Sequence, residues 1–178
     1  MRTLALTALA SLTHAETKMS LRRWTIDIAG ASMKEETLND RDIQFPRPDD
    51  RLMARKTRHA YGNMNLYSVD GRVDGMDAVL HFDTASGKED FYHFGPGSAA
   101  GELVFAPRVG ATHEADGYAM TLVHRANSPT SELAIFAATD IAAGPIATVR
   151  IPFRVPSGFH CNYYAADNPF YRAVAGGR

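Results

Sequence analysis

The sequence predicts an all-β protein, and three observations carry that prediction. Short runs of β-branched and aromatic residues alternate with polar ones, and Gly, Asp, Asn and Pro separate the runs. Three stretches along the chain each have the order strand, short turn, strand. Few segments show the apolar period of an amphipathic helix, so sheets rather than helices must form the core.

Seven runs have this strand pattern, and turn residues bound each of them. Each run has a length that is usual for a strand in a globular protein. The predicted strands are residues 21–28, 76–83, 89–95, 102–107, 118–125, 132–138 and 146–153.

The strand–turn–strand stretches recur at a nearly constant interval. Asp27 and Asp83 begin the first two turns, each with a Gly three or four residues later, and the third turn closes on Gly144. Asp caps such a turn with its side chain, and Gly supplies the positive φ of a tight reversal. Asp27 and Asp83 are 56 residues apart, and Ala137 follows 54 residues after Asp83. The interval predicts about three β-propeller blades; a meander or sandwich with evenly spaced hairpins is the alternative.

Length, charge and cysteine content restrict the classes of function. The chain has 178 residues, 45% of them hydrophobic and 22% charged, which suits one domain with a sizeable core. The formal net charge of −1 offers no basic field for nucleic acid or anionic lipid. No apolar run is long enough to span a membrane. The single cysteine, Cys161, cannot form an internal disulfide, and we expect a cytoplasmic protein.

The N-terminal residues 1–18 are expected to stand apart from the domain at residues 19–178. They predict either a poorly ordered segment or a weak signal-like sequence. Arg2, a mildly apolar stretch over residues 4–12 and a small-residue pattern ending at Ala15 support the second reading.

The stretch "RVPSGFHCNYY" (154–164) contains the main candidate for a functional site. It places His160 and Cys161 side by side at the end of an apolar strand, followed by two tyrosines. A lone histidine on an apolar stretch is more often a satisfied core residue than a metal ligand. Taken alone, the stretch favours a core histidine, so the assignment of His160 depends on the rest of the chain.

Four blocks in a fixed order and spacing resemble one known family. They are "QFPRPDDRLMARKTRHAYG" (44–62), "YHFGPGSAAGELVFAPR" (92–108), residues 114–152 and "VPSGFHCNYY" (155–164). The chain between residues 19 and 164 resembles the C-terminal part of the carotenoid cleavage oxygenases, which include the lignostilbene dioxygenases. The resemblance implies a partial β-propeller, with about three of the family's seven blades. It also implies Fe(II) held by four histidines, and cleavage of a conjugated C=C bond by O2 into two carbonyl products.

The resemblance assigns three residues to that iron site. "GFHCNY" matches the motif of the family's last ligand, which identifies His160 as a metal ligand. "ELVFAPR" supplies Glu102, which is expected to accept a hydrogen bond from His160 and fix its tautomer. In "QFPR", Gln44 stands where the family has Glu, so the histidine that it orients is held less firmly. Cys161 replaces a usual Gly, either as a small hydrophobe or as an oxidation-prone thiol.

The family's other three iron ligands lie before the matched region. The remaining histidines of this chain do not match them, and His81 and His93 are expected on a blade surface. We therefore expect a C-terminal fragment of an Fe(II)-dependent dioxygenase, inactive by itself, with an upstream fragment as a candidate partner. The complete enzyme would act with O2 on an apolar carotenoid, apocarotenoid or stilbene. The alternative is a non-catalytic β-rich binding or interaction module, including a secreted one.

Overall fold

A computed structural model describes residues 3–6, 20–66 and 76–169. The described residues form twelve β-strands and two short 3₁₀ helices. The strands are β1 Thr3–Leu6, β2 Leu21–Asp27, β3 Ser32–Asn39, β4 Ile43–Arg47, β5 His59–Met64, β6 Ala78–Asp83, β7 Glu89–His93, β8 Ser98–Ala100, β9 Val104–Pro107, β10 Gly117–Arg125, β11 Ser131–Ala137 and β12 Ala147–Ile151. The 3₁₀ helices are η1 Asp50–Leu52 and η2 Ile141–Ala143. The seven predicted strands are β2, β6, β7, β9, β10, β11 and β12, with ends within two residues of those expected.

The strands form three antiparallel sheets that follow one another along the chain. The first sheet has the order β1-β2-β3, and the middle sheet has the order β4-β5-β6-β7. The third sheet has the order β12-β11-β10-β8, and β9 also pairs with β10. Successive small antiparallel sheets are the architecture of propeller blades. The predicted all-β fold class and the partial propeller are confirmed.

The repeated units are hairpins, as the spacing predicted. Strands β2–β3, β6–β7 and β11–β12 pair across their turns, and Asp27, Asp83 and Ala137 each end the first strand of a hairpin. Asp27 Oδ1 accepts hydrogen bonds from the N–H groups two and three residues further on, both at 3.1 Å. Asp83 Oδ1 makes the same pair of bonds at 3.0 and 3.4 Å. In the third turn Gly144 has a φ of 87°, a conformation that glycine adopts without strain.

Strand β6 is buried on both faces, because the middle sheet lies between the other two. All six residues of β6 are buried, and their side chains alternate between two apolar clusters. Val79 joins the cluster on the third-sheet face, with Tyr61, Phe94, Ala100, Leu103, Phe105, Ala119, Val123, Ala134, Phe136, Ala138 and Ile141. Leu80 and Phe82 join the cluster on the first-sheet face, with Leu21, Ile43, Met64 and Ala78.

His81 lies on the third-sheet face of β6 and is only 7% exposed. The expectation of a surface position for His81 was wrong, because both faces of β6 are covered. Its Nδ1 lies 2.8 Å from Asp90 Oδ1, and its Nε2 lies 2.8 Å from His59 Nδ1. The neutral tautomer of His81 that donates from Nδ1 to the Asp90 carboxylate accepts at Nε2. His59 is then the donor to His81, and the three side chains form a single directed chain of hydrogen bonds.

Two carboxylates, Asp90 among them, also connect the middle sheet to the third by hydrogen bonds to backbone N–H groups. Asp90 Oδ2 accepts hydrogen bonds from the backbone N–H groups of Ile141, at 2.8 Å, and Ala142, at 3.4 Å, where η2 begins. In the opposite direction, Glu114 Oε1 accepts from the N–H groups of residues 58 and 59 at 2.7 and 2.8 Å. Partly buried carboxylates therefore reinforce the joint between two sheets that apolar packing already holds together.

The two outer sheets keep apolar side chains in contact with solvent. Met33 of β3 is 65% exposed, and Ile146 and Val149 at β12 are 57% and 50% exposed. In a closed propeller each blade face packs against a neighbouring blade, so these exposed faces fit a partial propeller.

Of the N-terminal residues 1–18, the structure describes Thr3–Leu6 alone, as a strand paired with β2. The separation of this segment from residues 19–178 stays a prediction. Within the described ranges, no helix has the length and hydropathy needed to cross a membrane.

We expect the free energy of unfolding to decrease as pH falls from about 7.5 to 5.5. Burial, and then the neighbouring His81 ring, lower the pKa of His59 from its ordinary value of 6.5. Burial also lowers the pKa of His124. The unfolded chain therefore takes up these protons first. Stability that is fully present above about pH 6.5 is lost as pH falls towards the lowered pKa.

Urea unfolding followed by Trp24 fluorescence at several pH values measures this dependence. The His59→Gln variant should show a shallower dependence than the parent. The variant His113→Gln, at an exposed position, is the matched control and should follow the parent. Equal pH dependence in the parent and both variants would contradict the assignment to His59.

Candidate functional site

Glu102 is a buried carboxylate on the irregular segment between β8 and β9. The side chain of Asn63, in β5, holds both neighbours of Glu102. Asn63 Nδ2 donates to the carbonyl of Gly101 at 2.7 Å, and Asn63 Oδ1 accepts from the N–H of Leu103 at 3.0 Å. Asn63 is fully buried, so these bonds also satisfy its amide. The middle sheet thereby fixes the position of Glu102.

One oxygen of Glu102 faces three groups from other parts of the chain. Its Oε2 accepts a hydrogen bond from the backbone N–H of Cys161 at 2.6 Å. The same oxygen lies 3.4 Å from Arg47 Nη1 and 3.5 Å from His160 Nδ1. Contacts with a cation and a donor offset the cost of burying the carboxylate.

The structure places the imidazole of His160 beside the Glu102 carboxylate, without the hydrogen bond that was expected between them. Their separation of 3.5 Å exceeds the range of about 2.6–3.2 Å for a hydrogen bond. The amide of Cys161, rather than the imidazole of His160, is therefore the hydrogen-bond donor to Glu102. The His160 side chain is 63% exposed, whereas that of Glu102 is 5% exposed, so the imidazole projects from a buried support.

Two aromatic rings pack edge-on against the imidazole of His160. The ring centroids of Phe45 and Phe159 lie 5.6 and 4.8 Å from it. Phe45 has a φ of 51° at an irregularity of the β4–β5 register. Gly62 permits the close approach of β4 there, because a Cβ would lie 2.8 Å from Ile43 Cγ2. A non-glycine residue with positive φ is strained, and at this position it accompanies contact with the candidate ligand.

Arg47 fixes the backbone on the far side of His160. Its guanidinium donates to the carbonyl of Cys161 and, at 3.0 Å, to Asn162 Oδ1. It also pairs with Asp50 at 2.6 Å. Together with the Glu102 bond, these contacts hold both the N–H and the C=O of Cys161. The residue next to the candidate ligand is therefore held at both ends of its backbone.

Gln44 lies in β4, opposite Asn63 in the strand register. It takes no part in the contacts that join Glu102 to Cys161, Arg47 and His160. The structure thus places Gln44 next to the residue that supports Glu102, and its predicted role towards a histidine stays a prediction.

Cys161 is a partly buried free thiol. Burial raises the pKa of this thiol, the Glu102 carboxylate raises it further, and Arg47 partly opposes them. A raised pKa keeps the sulfur protonated at neutral pH and so unreactive. Of the two roles considered for Cys161, the structure favours the small hydrophobe.

The described residues do not bring together a complete metal site. Within residues 20–66 and 76–169, no group of three or more His, Cys, Asp or Glu side chains is placed to hold a metal ion. His93, expected on a surface, is partly buried with Nε2 3.3 Å from Asp77. His124 is buried against Ser131 Oγ at 3.0 Å. The assignment of His160 as an iron ligand, and the expected lack of the family's other three ligands, stay predictions.

The family profile of RPE65, described as retinal pigment epithelial membrane protein, matches residues 3–165. The match covers most of the chain and includes Glu102 and His160. The chain belongs to the RPE65 family of carotenoid oxygenases. The family assignment made from the four sequence blocks is confirmed.

Two of the similar proteins are named as oxygenases of a lignostilbene and of an apocarotenoid. The lignostilbene-alpha,beta-dioxygenase isozyme III of Sphingomonas paucimobilis is 34% identical over an alignment of 159 residues that covers 83% of this chain and 32% of that enzyme. The apocarotenoid-15,15'-oxygenase of Synechocystis sp. is 34% identical over 140 residues, 79% of this chain and 28% of that enzyme. The chain thus spans about a third of the length of the curated relatives it matches.

Solved RPE65-family structures share the fold of this chain. A variant of Synechocystis apocarotenoid oxygenase superposes with a TM-score of 0.78 at 29% identity, covering 89% of this chain and 36% of that one. The cobalt-substituted form of that oxygenase has a TM-score of 0.76 at 29% identity, with coverages of 89% and 35%. The three sheets are therefore part of the fold of these oxygenases.

Sequence reasoning did not find Arg47 or Asn63. Arg47 could have been proposed from the sequence, because it is the last residue of "QFPR", the stretch that contains Gln44. No local sequence pattern indicated the role of Asn63, because its partners Gly101 and Leu103 lie about 40 residues away along the chain.

Replacing Glu102 by Ala should release the backbone at Cys161. We expect the amide of Cys161 to exchange with solvent at least about tenfold faster, since a hydrogen bond to a charged acceptor contributes about 1.5–3 kcal/mol. Glu102→Gln should have a smaller effect, because Gln keeps an acceptor oxygen. Hydrogen exchange followed by NMR measures both. The variant Glu132→Ala, which removes the partly buried partner of Arg125, is the control, and protection that is unchanged in Glu102→Ala would refute the role of Glu102.

Proposed function

We propose that this chain forms part of the propeller of a dioxygenase that cleaves a conjugated carbon–carbon double bond, with His160 as one ligand of Fe(II). The observation that carries the proposal is His160 in the "GFHCNY" motif, supported by buried Glu102 in the family fold. In the overall reaction the C=C bond and the O–O bond of O2 are broken. Each carbon takes one oxygen atom, which gives two carbonyl products.

The geometry of His160 supports a ligand role. Glu102 lies on the Nδ1 side of the imidazole, which favours a proton on Nδ1 and leaves Nε2 for a metal. Imidazole is a suitable donor for iron. A cobalt-substituted form of the Synechocystis oxygenase supports a metal centre in proteins of this fold. In the proposal, the other iron ligands come from outside the described residues.

The proposed substrate is an apolar conjugated molecule: a carotenoid, an apocarotenoid or a stilbene. The support comes from the names of the relatives, which include lignostilbene, apocarotenoid and isoeugenol oxygenases. Sequence identity does not favour a stilbene over an apocarotenoid as substrate, since the lignostilbene and apocarotenoid oxygenases are both 34% identical to this chain. A cytoplasmic location is also proposed, and the single free cysteine supports it.

The isolated chain should neither retain iron nor cleave substrate. A single imidazole cannot hold Fe(II) against water and chelators. Plasma emission analysis of the purified chain, after loading with Fe(II) and passage over a chelating resin, should give far less than one iron per chain. Stoichiometric iron that resists the chelator would overturn this expectation and reveal ligands beyond His160.

A chimera tests whether this chain can serve in a complete enzyme. Residues 3–165 would replace the matching part of the Sphingomonas lignostilbene dioxygenase. The chimera should bind iron and cleave lignostilbene, and His160→Ala should abolish both, while His113→Ala should leave both unchanged. Gln44→Glu should raise iron affinity by about tenfold, and Glu102→Gln should lower it by about 10–100-fold.

The outcomes of the chimera experiment separate the two functional classes. Iron binding and activity that survive His160→Ala would refute the ligand assignment. A folded chimera without iron or activity would favour the alternative of a non-catalytic β-rich binding module.

A further inference from the structure

A cleft of about 660 Å³ opens between the first sheet and the middle sheet, on the face away from His81. Its apolar lining includes Leu21 and Leu38 of the first sheet and Pro46 and Ala60 of the middle sheet. The volume is that of sites that hold small organic molecules. We call it the cationic cleft, because five basic side chains also line it: Arg23, Arg47, Arg55, Lys56 and Arg58.

Three of these five cations are paired with carboxylates of the protein. Arg58 donates two hydrogen bonds to Asp83, at 2.8 and 2.7 Å, and Arg47 pairs with Asp50 at 2.6 Å. Arg23 lies 3.7 Å from Glu36. The positive charge of these three groups is largely balanced within the fold.

Arg55 and Lys56 are different. Neither side chain forms a hydrogen bond or an ion pair with any residue in the described ranges, and both are exposed at the rim of the cleft. Two adjacent cations without partners, above an apolar lining, suit a ligand with one anionic end and one apolar end. Among the described residues, Glu114 is the one acidic residue lining the cleft, and it disfavours a ligand with a second negative charge.

We propose that the cationic cleft binds a small organic carboxylate. The carboxylate meets Arg55 and Lys56, and the apolar body lies against Leu38 and Ala60. Arg guanidinium has the planar fork geometry that fits a carboxylate, and Lys adds a second point charge. Arg47 is common to this cleft and to the contacts around His160, but Arg55 and Lys56 are not, and the proposal does not depend on the iron function. Because both cations are exposed, the affinity should be modest and should fall as salt is added.

Benzoate is the probe, because it joins one carboxylate to an apolar ring. Titration of the isotope-labelled chain at low salt, followed by NMR, should show saturable shifts of the Leu38 and Ala60 amides. The double variant Arg55→Gln, Lys56→Gln should weaken benzoate binding by about tenfold. The matched control Lys34→Gln, Lys88→Gln removes two exposed charges outside the cleft and should leave binding unchanged.

Two further ligands separate the parts of the proposal. Benzyl alcohol keeps the ring without the charge, and inorganic phosphate keeps an anion without the ring. Each should bind at least about tenfold more weakly than benzoate. Equal binding of benzyl alcohol would overturn the role of the carboxylate, and equal binding of phosphate would overturn that of the apolar body. Absence of saturable shifts, or equal losses in the two double variants, would overturn the site itself.

Discussion

Strand β6 must be covered on both faces, and the rest of the structure depends on this constraint. All six of its residues are buried, with Val79 packed towards the third sheet and Leu80 and Phe82 towards the first. A sheet with two apolar faces is stable only between two neighbours. The constraint also explains why His81 needs both Asp90 and His59 as partners, since a buried imidazole without hydrogen bonds would be costly.

The candidate ligand site depends on the same stacking. Glu102 lies in the third sheet's part of the chain, yet Asn63 of the middle sheet determines where it sits. Arg47, also from the middle sheet, reaches both Glu102 and the backbone after His160. His160 lies outside the strands, yet side chains from the sheets hold the adjoining backbone in place. A metal ligand requires such a fixed position. Displacing the middle sheet would therefore move His160 even if every residue of the "GFHCNY" motif were unchanged.

Local signals made much of the fold predictable, and long-range contacts account for what was missed. Alternation and Asp-to-Gly turns identified the hairpins, because both act within a few residues. Strands β4 and β5 were not predicted, since Pro46, Gly62 and Asn63 are poor strand formers that tertiary packing overrides. The family motifs identified His160 and Glu102 as neighbours. The Arg47 contact with Cys161 joins residues 114 positions apart, which no local pattern reveals.

At the candidate site, hydrogen bonds hold the backbone beside His160 but not its imidazole ring. The protein holds the backbone of Cys161 at both its N–H and its C=O, whereas the imidazole of His160 has only a 3.5 Å contact with Glu102 and edge-on packing with Phe45 and Phe159. The Cα of His160 is therefore fixed more firmly than its ring. In the proposed role, Glu102 beside Nδ1 would hold the proton there and leave Nε2 as the donor to a metal, because a fixed tautomer strengthens the donor nitrogen. Arg47 and the Cys161 amide contact the buried Glu102 carboxylate, so its position beside His160 does not depend on a metal.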